Sequence, residues 1–456
     1  MKSRIAEIIL LTCLIIFTSA CKKDFEPMES GPINCFLTEE EKDVVEELKS
    51  NYAHSFLSAD PEVSESLSAL TSYLSSTKIV GLGEATHGTK EFFQFKDKLF
   101  RQLVLEEDFN AVIFEIPWGN AFVVNEFVTR GIGTADEAMD QTYYWVYDTQ
   151  ETRDLANWMR AYNLSLENSN PSEQIHFVGC DPQGGGFEVE KNMVYKYLEK
   201  VAPPFVDTAY QKYASLPYND LTIYPDLDPA VRNKNREGTK YMYEFINSNR
   251  EGFVASTGLY EYEVARMASH VIQHRDMMYR TQSFSQTRDS LMAIYALWWQ
   301  EILAPDAKVA TWAHNLHVMD NPVVNSKWMG DYLRDSLSTH YKNLAFSFSK
   351  GGLNAFYANG QGKFQSSVRK QTVQDYQCGT LNNLLSQVAT NPYYLIFDEI
   401  VWPRISHLYL DQSLHFYQIG AGFNYMHMHN YTNNLEVFRS WDVLVHFDQV
   451  EASELR

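Results

Sequence analysis

Short, continuously apolar runs recur along this chain, separated by stretches in which apolar residues follow a helical period. The runs predicted as buried strands are 78–82, 110–116, 174–180, 308–312, 344–348, 393–397 and 442–446. Between the first two runs, apolar positions from Phe92 to Val104 recur three and four residues apart, which indicates a helix. Strands that alternate with helices are typical of a parallel sheet. We therefore predict an α/β fold with a mostly parallel central sheet flanked by helices.

The long interval from about 187 to 304 contains no convincing strand pattern. Its apolar residues are spaced as on amphipathic helices, for example Tyr262, Ala265, Ala268 and Ile272. We predict a large helical insertion over the carboxyl edge of the sheet, because the insertion connects two strands that end there. Two more helices are expected between residues 37 and 76, the first capped by Thr38.

The beginning of the chain has the features of an export signal. Residues 1–20 combine a basic start with an apolar core that is too short to span a membrane. Small residues directly before Cys21 favour a lipoprotein signal over an ordinary cleaved one, so we predict that Cys21 is acylated. Residues 21–36 are then a lipidated tether and 37–456 the folded domain. The expected location is the bacterial cell envelope, with the domain anchored by lipid to the outer membrane and facing the periplasm or the surface.

The net charge of the chain and its cysteine content argue against nucleic acid partners and against a framework of disulfides. The chain has 38 basic and 58 acidic residues, a formal net charge of -20. This balance argues against nucleic acid partners. Cys35, Cys180 and Cys378 are too few and too scattered for a disulfide framework, so we predict no structural disulfide.

The segment Gly81–Gly88 places a carboxylate, Glu84, and an imidazole, His87, on a turn between the first strand and its helix. Glu115 ends the next strand along the chain. The carboxyl ends of parallel strands meet at one edge of a sheet, so the three side chains would share a crevice if the strands are adjacent. An imidazole with its ordinary pKa of about 6.5 can accept a proton from water near neutral pH.

Other polar residues also follow predicted strands. At or just past the carboxyl ends of their runs are Asp181, His314, His317, Asp398 and Glu399. We expect them at the same edge, although Asp181 could equally be a loop residue that stabilises its turn. His270 and His274 are four residues apart, but no glutamate follows His270 as it does in the zinc protease motif, so we predict a structural or surface role.

Several segments together resemble the erythromycin esterase family. The run Gly83–Phe92 is similar to the signature of that family, and Glu115 matches its second glutamate. Trp312–Val318 resembles its paired-histidine motif, Arg288–Met292 its arginine-aspartate-methionine helix and, more weakly, Trp441–Val445 a motif near the end of the chain. These landmarks extend from about residue 78 to 448 and are more specific together than singly.

The resemblance implies hydrolysis of an ester or of a lactone such as a macrolide, without a metal, another cofactor or a covalent intermediate. It implies His87 as general base, Glu84 and Glu115 as positioning groups, and an oxyanion stabilised by His314, by His317 or by backbone N–H groups near Gly88. Expected substrate-binding residues are Lys96, Asp181 and Arg288. Lys96 departs from the family, which usually has an arginine there, so the charge is kept but bidentate carboxylate binding is lost.

Two other functions remain open on the sequence. A metal-dependent hydrolase could use the same side chains as divalent metal ligands, namely Glu84, His87, Glu115, Asp181, His314 and His317. A non-catalytic surface lipoprotein that binds a glycan or another envelope ligand would agree with the anchor and with 9 Trp and 28 Tyr, which a large core also needs. The sequence lacks a Gly-x-Ser-x-Gly elbow and a phosphate-binding loop, which disfavours an acyl-serine mechanism and nucleotide use.

Overall fold

The computed structural model describes most of the predicted domain. The described residues are 36–166, 173–184, 186–217, 223–281, 284–303, 306–320, 326–359, 363–374, 378–389, 392–400 and 413–456. The predicted signal peptide, the predicted acylation site Cys21 and all of the predicted tether except Phe36 lie outside them. No helix among the described residues is long and apolar enough to cross a membrane.

The core of the molecule is one large sheet. Its strands in chain order are β1 His54–Ser55, β2 Ile79–Leu82, β3 Phe109–Pro117, β4 His176–Asp181, β5 Lys308–Trp312, β6 Tyr341–Ala358, β7 Phe364–Val373, β8 Tyr393–Ile396, β10 Gly422–Phe423 and β12 Val443–Val450. The spatial order is β1-β8-β12-β6-β2-β5-β3-β4, with β7 and β10 also pairing with β6. Strands β9 Leu414–Tyr417 and β11 Thr432–Leu435 form a separate antiparallel pair. Every predicted strand is therefore present.

Helices pack on both faces of this sheet. Before and between the first strands lie α1 Glu39–Glu47, α2 Ser68–Leu74, α3 Lys90–Glu107, α4 Ala121–Arg130, α5 Ala135–Asp140 and α6 Gln150–Ser165. The predicted insertion holds α7 Glu188–Val201, α8 Val206–Tyr213, α9 Pro229–Ser248, α10 Arg250–Thr257, α11 Leu259–Met278 and α12 Phe284–Leu303. Short helices follow at α13 Asn315–Val318, α14 Met329–Leu337, α15 Leu381–Leu385 and α16 Val437–Ser440. These observations confirm a mostly parallel α/β fold with helices around the sheet.

The two strands that precede Glu84 and Glu115 are not adjacent. Strand β5 lies between β2 and β3 and is parallel to both, with Val80 and Val112 both opposite Ala310. The residues that follow β5 therefore lie between the two glutamates. This order places the paired histidines at the centre of the candidate site.

One group of predicted edge residues lies elsewhere. Strand β8 is antiparallel to β12, so its carboxyl end is at the opposite edge of the sheet. There Asp398 accepts hydrogen bonds from Tyr73 and Lys342, and Glu399 lies 2.7 Å from His54. The expectation that Asp398 and Glu399 share the edge with His87 was wrong, because the apolar pattern does not encode strand direction.

The prediction of no structural disulfide was also wrong. Cys378 is disulfide-bonded, and its partner lies outside the described residues. Cys180 is free and buried. Sequence spacing alone did not reveal this bond, because its two cysteines need only be close in space.

The helical insertion is tied to the site edge by a buried ion pair. Arg275 of α11 contacts Glu190 of α7 at 3.0 Å and donates to the carbonyl of Pro182, just after β4. Glu190 also accepts the backbone N–H of Gly119, which follows β3. Both charged groups are fully buried, so the loops after two site strands are fixed to the insertion.

Candidate active site

The turn after β2 forms the first half of the site. Glu84 and His87 are buried, and Oε1 of Glu84 lies 2.7 Å from Nδ1 of His87. Gly83 permits this turn because a Cβ atom there would lie 2.3 Å from the side-chain oxygen of Asn315. Asn315 in turn donates its backbone N–H to the carbonyl of Glu84. The absence of a side chain at Gly83 thus lets the segment after β5 pack directly on the catalytic turn.

Lys96 of α3 lies behind Glu84. Its Nζ is 2.6 Å from Oε2 of Glu84 and 4.4 Å from the ring centroid of Trp312, and it is fully buried. Burial lowers the pKa of Lys96 to about 8, against the opposing effect of Glu84. Burial disfavours the charged form of Glu84 as well, but Lys96 and His87 hold the pKa of this carboxyl below its ordinary value. Glu84 is therefore the ionised partner of both His87 and Lys96.

The second half of the site is centred on Arg288 of α12. Its Nε and Nη2 form a bidentate pair with Asp181 at 2.9 and 2.8 Å. Nη2 also donates to Oε1 of Glu115 at 2.7 Å. Burial opposes ionisation of Glu115, yet His317 and Arg288 hold the pKa of this carboxyl well below its ordinary value. Arg288 thus connects the ends of β3 and β4 to the helical insertion.

His317 lies among these charges. Its Nδ1 is 2.6 Å from Asp289, and its Nε2 is 3.4 Å from Glu115 and 2.9 Å from Nη1 of Arg288. The contact with Arg288 favours a neutral ring, whereas the two carboxylates favour a charged one. Despite burial, Asp289 and Glu115 raise the pKa of His317 to about 10. We assign a charged ring, because the attraction of two carboxylates outweighs both burial and the repulsion of the single guanidinium of Arg288.

His314 lies between the two halves. Its backbone N–H donates to Oε2 of Glu115 at 3.0 Å, and its ring is 5.2 Å from that of His87. Burial and the neighbouring His87 and His317 lower the pKa of His314 to about 3, so the ring is neutral. Its Nδ1 accepts the N–H of Leu316 at 3.3 Å, which places the ring proton on Nε2. Among the described residues Nε2 has no hydrogen-bond partner.

The proton positions distinguish the three histidines. The ionised Glu84 accepts from Nδ1 of His87, so a neutral His87 has its lone pair on Nε2. His314 has its proton on Nε2 and can only donate from that atom. His317 is already protonated. Of the three rings, His87 alone can accept a proton from water.

The structure brings all eight predicted site residues of the folded domain to one edge. They are Glu84, His87, Lys96, Glu115, Asp181, Arg288, His314 and His317. Lys96 and Asp181, predicted to bind substrate, have their charged atoms in the ion pairs described above. No group of three or more His, Cys, Asp or Glu among the described residues is arranged to hold a metal ion. His270 and His274 contact each other in α11, with ring centroids 3.8 Å apart and the ring planes tilted by 40°.

Sequence reasoning missed two contributors. Asp289, adjacent to Arg288, orients His317, and only its place in the quoted motif pointed to it. Tyr147 donates from its hydroxyl to the carbonyl of Trp312, just before His314, and packs against Phe114, just before Glu115. Nothing in the sequence around Tyr147 indicates that this tyrosine contacts the segments that bear His314 and Glu115.

Comparisons with known proteins show the family of this chain. The sequence profile of the family described as erythromycin esterase matches residues 104–450. Erythromycin esterase type II of Escherichia coli is 22% identical over 358 residues, which cover 73% of this chain and 83% of that protein.

Solved structures share the fold. A succinoglycan biosynthesis protein has a TM-score of 0.79 at 20% identity, covering 92% of this chain and 100% of its own. An erythromycin esterase mutant in its open conformation has a TM-score of 0.64 at 16% identity, covering 88% of this chain and 98% of its own.

Proposed function

This chain belongs to the erythromycin esterase family, and from that premise we propose that it is a hydrolase that cleaves a carboxylic ester or lactone with water activated by His87. The observation that carries this proposal is the arrangement of three buried histidine rings and their hydrogen-bond partners, from which their proton positions are assigned. One ring can accept a proton, a second, 5.2 Å away, can donate one, and the third is held charged by carboxylates. Hydrolysis by activated water needs such a base and such a donor.

The first step is proton transfer from water to Nε2 of His87 as the water oxygen attacks the carbonyl carbon. Glu84 stabilises the resulting imidazolium through Nδ1, and Lys96 keeps Glu84 ionised. General-base action typically contributes about 10²–10⁴-fold to the rate. Because this contribution is limited, the developing oxyanion also needs a donor.

His314 supplies that donor. Its Nε2–H faces no competing acceptor among the described residues, and a single oxyanion donor is worth about 10²–10³-fold in rate. Glu115 holds the backbone N–H of His314 and thereby fixes the ring. In the second step the tetrahedral intermediate collapses, the C–O bond to the alcohol breaks, and His87 returns its proton to the leaving oxygen. No bond forms between protein and substrate.

The proposed substrate class is inferred from the relatives of this chain. Erythromycin esterase type II of Escherichia coli carries a macrolide in its name, and a lactone is an ester to which the same two steps apply. The test is mass-spectrometric detection of a gain of one water across macrolides, simpler lactones and acyl esters. Wild-type protein should form product that His87→Ala does not. A panel in which the two proteins behave alike contradicts the proposal.

We further propose that the domain is lipid-anchored at Cys21 in the bacterial cell envelope, on the strength of the small residues before that cysteine. Metabolic labelling with a fatty acid analogue should mark the wild-type protein and not Cys21→Ala. Equal labelling of both proteins would contradict the anchor without affecting the proposed reaction.

A further inference from the structure

Gln418 lies next to the catalytic turn and has no assigned role. The backbone N–H of Ile419 donates to the carbonyl of Ala85 at 2.6 Å, and Ile419 forms a parallel bridge with Thr86, the residue before His87. The N–H of Gln418 itself donates to the carbonyl of Tyr431 at 2.8 Å. Gln418 is therefore held by regular backbone hydrogen bonds beside His87.

The side chain of Gln418 faces away from the apolar cluster to which its two neighbours belong. Tyr417 and Ile419 are both part of the hydrophobic cluster on one face of the sheet. Successive side chains of an extended segment point to opposite sides, so Gln418 points away from that cluster. Ile419 opposes Thr86, the residue before His87, so Gln418 is one residue from the bridge that holds the His87 turn.

The amide of Gln418 is buried without a partner. The residue is 6% exposed, and neither Nε2 nor Oε1 has a hydrogen-bond partner among the described residues. No other buried amide side chain in the described ranges lacks partners for both of its polar atoms. Backbone hydrogen bonds of Gln418 and Ile419 fix the position of this segment. The free-energy cost of the unpartnered amide is therefore not relieved by local disorder.

Buried polar atoms without partners are unfavourable for folding and are rare in native proteins. They are expected where a site sacrifices stability for binding. Unpartnered atoms also occur at Oγ1 of Thr86, the residue before His87, and at Nε2 of His314, whose ring is 5.2 Å from that of His87. Three unpartnered side chains around one catalytic histidine indicate that a polar ligand completes them.

We propose that Gln418 is a substrate-contacting residue of this site, whose amide hydrogen-bonds the polar atoms of the bound ester and its water. This inference rests on the proposed hydrolase function. An amide offers two N–H donors at Nε2 and an acceptor at Oε1. Nε2 suits the carbonyl or ring oxygen of an ester, and Oε1 suits a proton of the attacking water that is not transferred to His87.

The test separates binding from folding by measuring both in the same variants. Gln418→Met is close in volume and removes both unpartnered atoms. We expect its melting temperature to rise by about 1–3 °C, while kcat/KM on p-nitrophenyl acetate and a macrocyclic lactone falls about tenfold to a hundredfold. Gln418→Glu keeps the acceptor and removes the donors, and should lose comparable activity.

Gln174 provides the matched control. It is 7% exposed, but its Nε2 donates to the carbonyl of Thr129, before β4 and away from the site edge. Gln174→Met should therefore lower the melting temperature and leave kcat/KM unchanged.

Two results would overturn the proposal. The first is a wild-type kcat/KM in both Gln418 variants, and the second is a Gln418→Met protein that unfolds or melts lower than wild type. If wild-type protein cleaves neither probe, the hydrolase function fails instead. In that case a higher melting temperature of Gln418→Met still supports an amide kept for a ligand, and a lower one still refutes it.

Discussion

Two histidine–carboxylate pairs of almost the same geometry lie in this site, and they have different chemistry. In one, Nδ1 of His87 is 2.7 Å from Glu84; in the other, Nδ1 of His317 is 2.6 Å from Asp289. Both rings are buried. The difference is in the surroundings of the rings: Nε2 of His317 meets Glu115 and Arg288, whereas the ring of His87 lies 5.2 Å from the neutral ring of His314.

The comparison shows that a histidine–carboxylate pair does not by itself define a base. The second carboxylate keeps the His317 ring protonated, which removes its ability to accept a proton. The carboxylate bonded to His87 is Glu84, and Lys96 neutralises it. The charges around each ring decide which ring reacts.

The largest expected difference between the pairs is in activity. His87→Ala should lower kcat/KM about a thousandfold or more, because it removes the proton acceptor. His317→Gln, which removes a ring that already holds its proton, should cost at least ten times less. Steady-state hydrolysis of the best substrate from the ester panel measures both. Equal losses would show that the two rings act as one unit.

The next effect is on stability and concerns the His317 side. Arg288→Met leaves Asp181 as a buried carboxylate without its cation and removes one of the two cations beside Glu115, so we expect the free energy of unfolding to fall by about 3–5 kcal/mol. Urea denaturation measures it. Lys42→Met, which breaks an exposed pair with Glu39, is the control and should show no measurable change. A stability loss no greater than that of the control would mean that the buried network does not support the fold.

Glu84→Gln tests the carboxylate of the reactive pair. An amide can hold the ring but cannot stabilise the imidazolium and can favour the wrong tautomer, so kcat should fall about 10²–10⁴-fold. The melting temperature should be affected less than by Arg288→Met, since one buried cation, Lys96, loses its partner, whereas Arg288→Met takes a cation from two carboxylates. Full activity in Glu84→Gln would exclude Glu84 as the orienting group.

Asp289→Asn tests the carboxylate of the other pair by spectroscopy. The pKa of His317, about 10 in the wild type, should fall because one of the two stabilising charges is removed. Ring-nitrogen chemical shifts of labelled histidine, followed from pH 7 to 10.5, report it. A wild-type His317 that is already neutral at pH 8 would reverse the assignment made from its two carboxylates.

The smallest effect concerns Lys96. Its pKa of about 8 means that the ammonium, and with it the support of Glu84, is lost as pH rises through 8. Activity should therefore decline on the alkaline side, and Lys96→Arg should remove that decline because arginine stays charged. Stability has the opposite sign, since a lysine pKa below its unfolded value makes stability increase from about pH 8 to 10.5. Superimposable pH–rate profiles of the two proteins would contradict this role.

Much of the fold follows from local pattern. The strands that carry the site are continuous apolar runs, and α1 begins at Thr38 because its hydroxyl and Glu41 form a capping box. Strand β7 was missed because its residues are largely polar and exposed, as expected for an edge strand. The local pattern of apolar residues predicts buried strands. It does not predict a strand that is exposed to water on both faces.

Strand order, strand direction and disulfide bonding could not be predicted from the local pattern of apolar residues. The insertion of β5 between β2 and β3, the reversed direction of β8 and the bond of Cys378 each depend on segments far apart in the chain. The same holds for the charge state of His317, which depends on residues from α12 and β3.

The sequence by itself determined the elements, the edge at which parallel strands end and the residue types available there, because periodicity and composition are local properties. The tertiary structure decided which carboxylate meets which histidine and which ring can take a proton. The reason is electrostatic: in a buried site the state of each ring depends on charges within a few ångströms, and those neighbours come from the ends of four strands and from the helices α3 and α12.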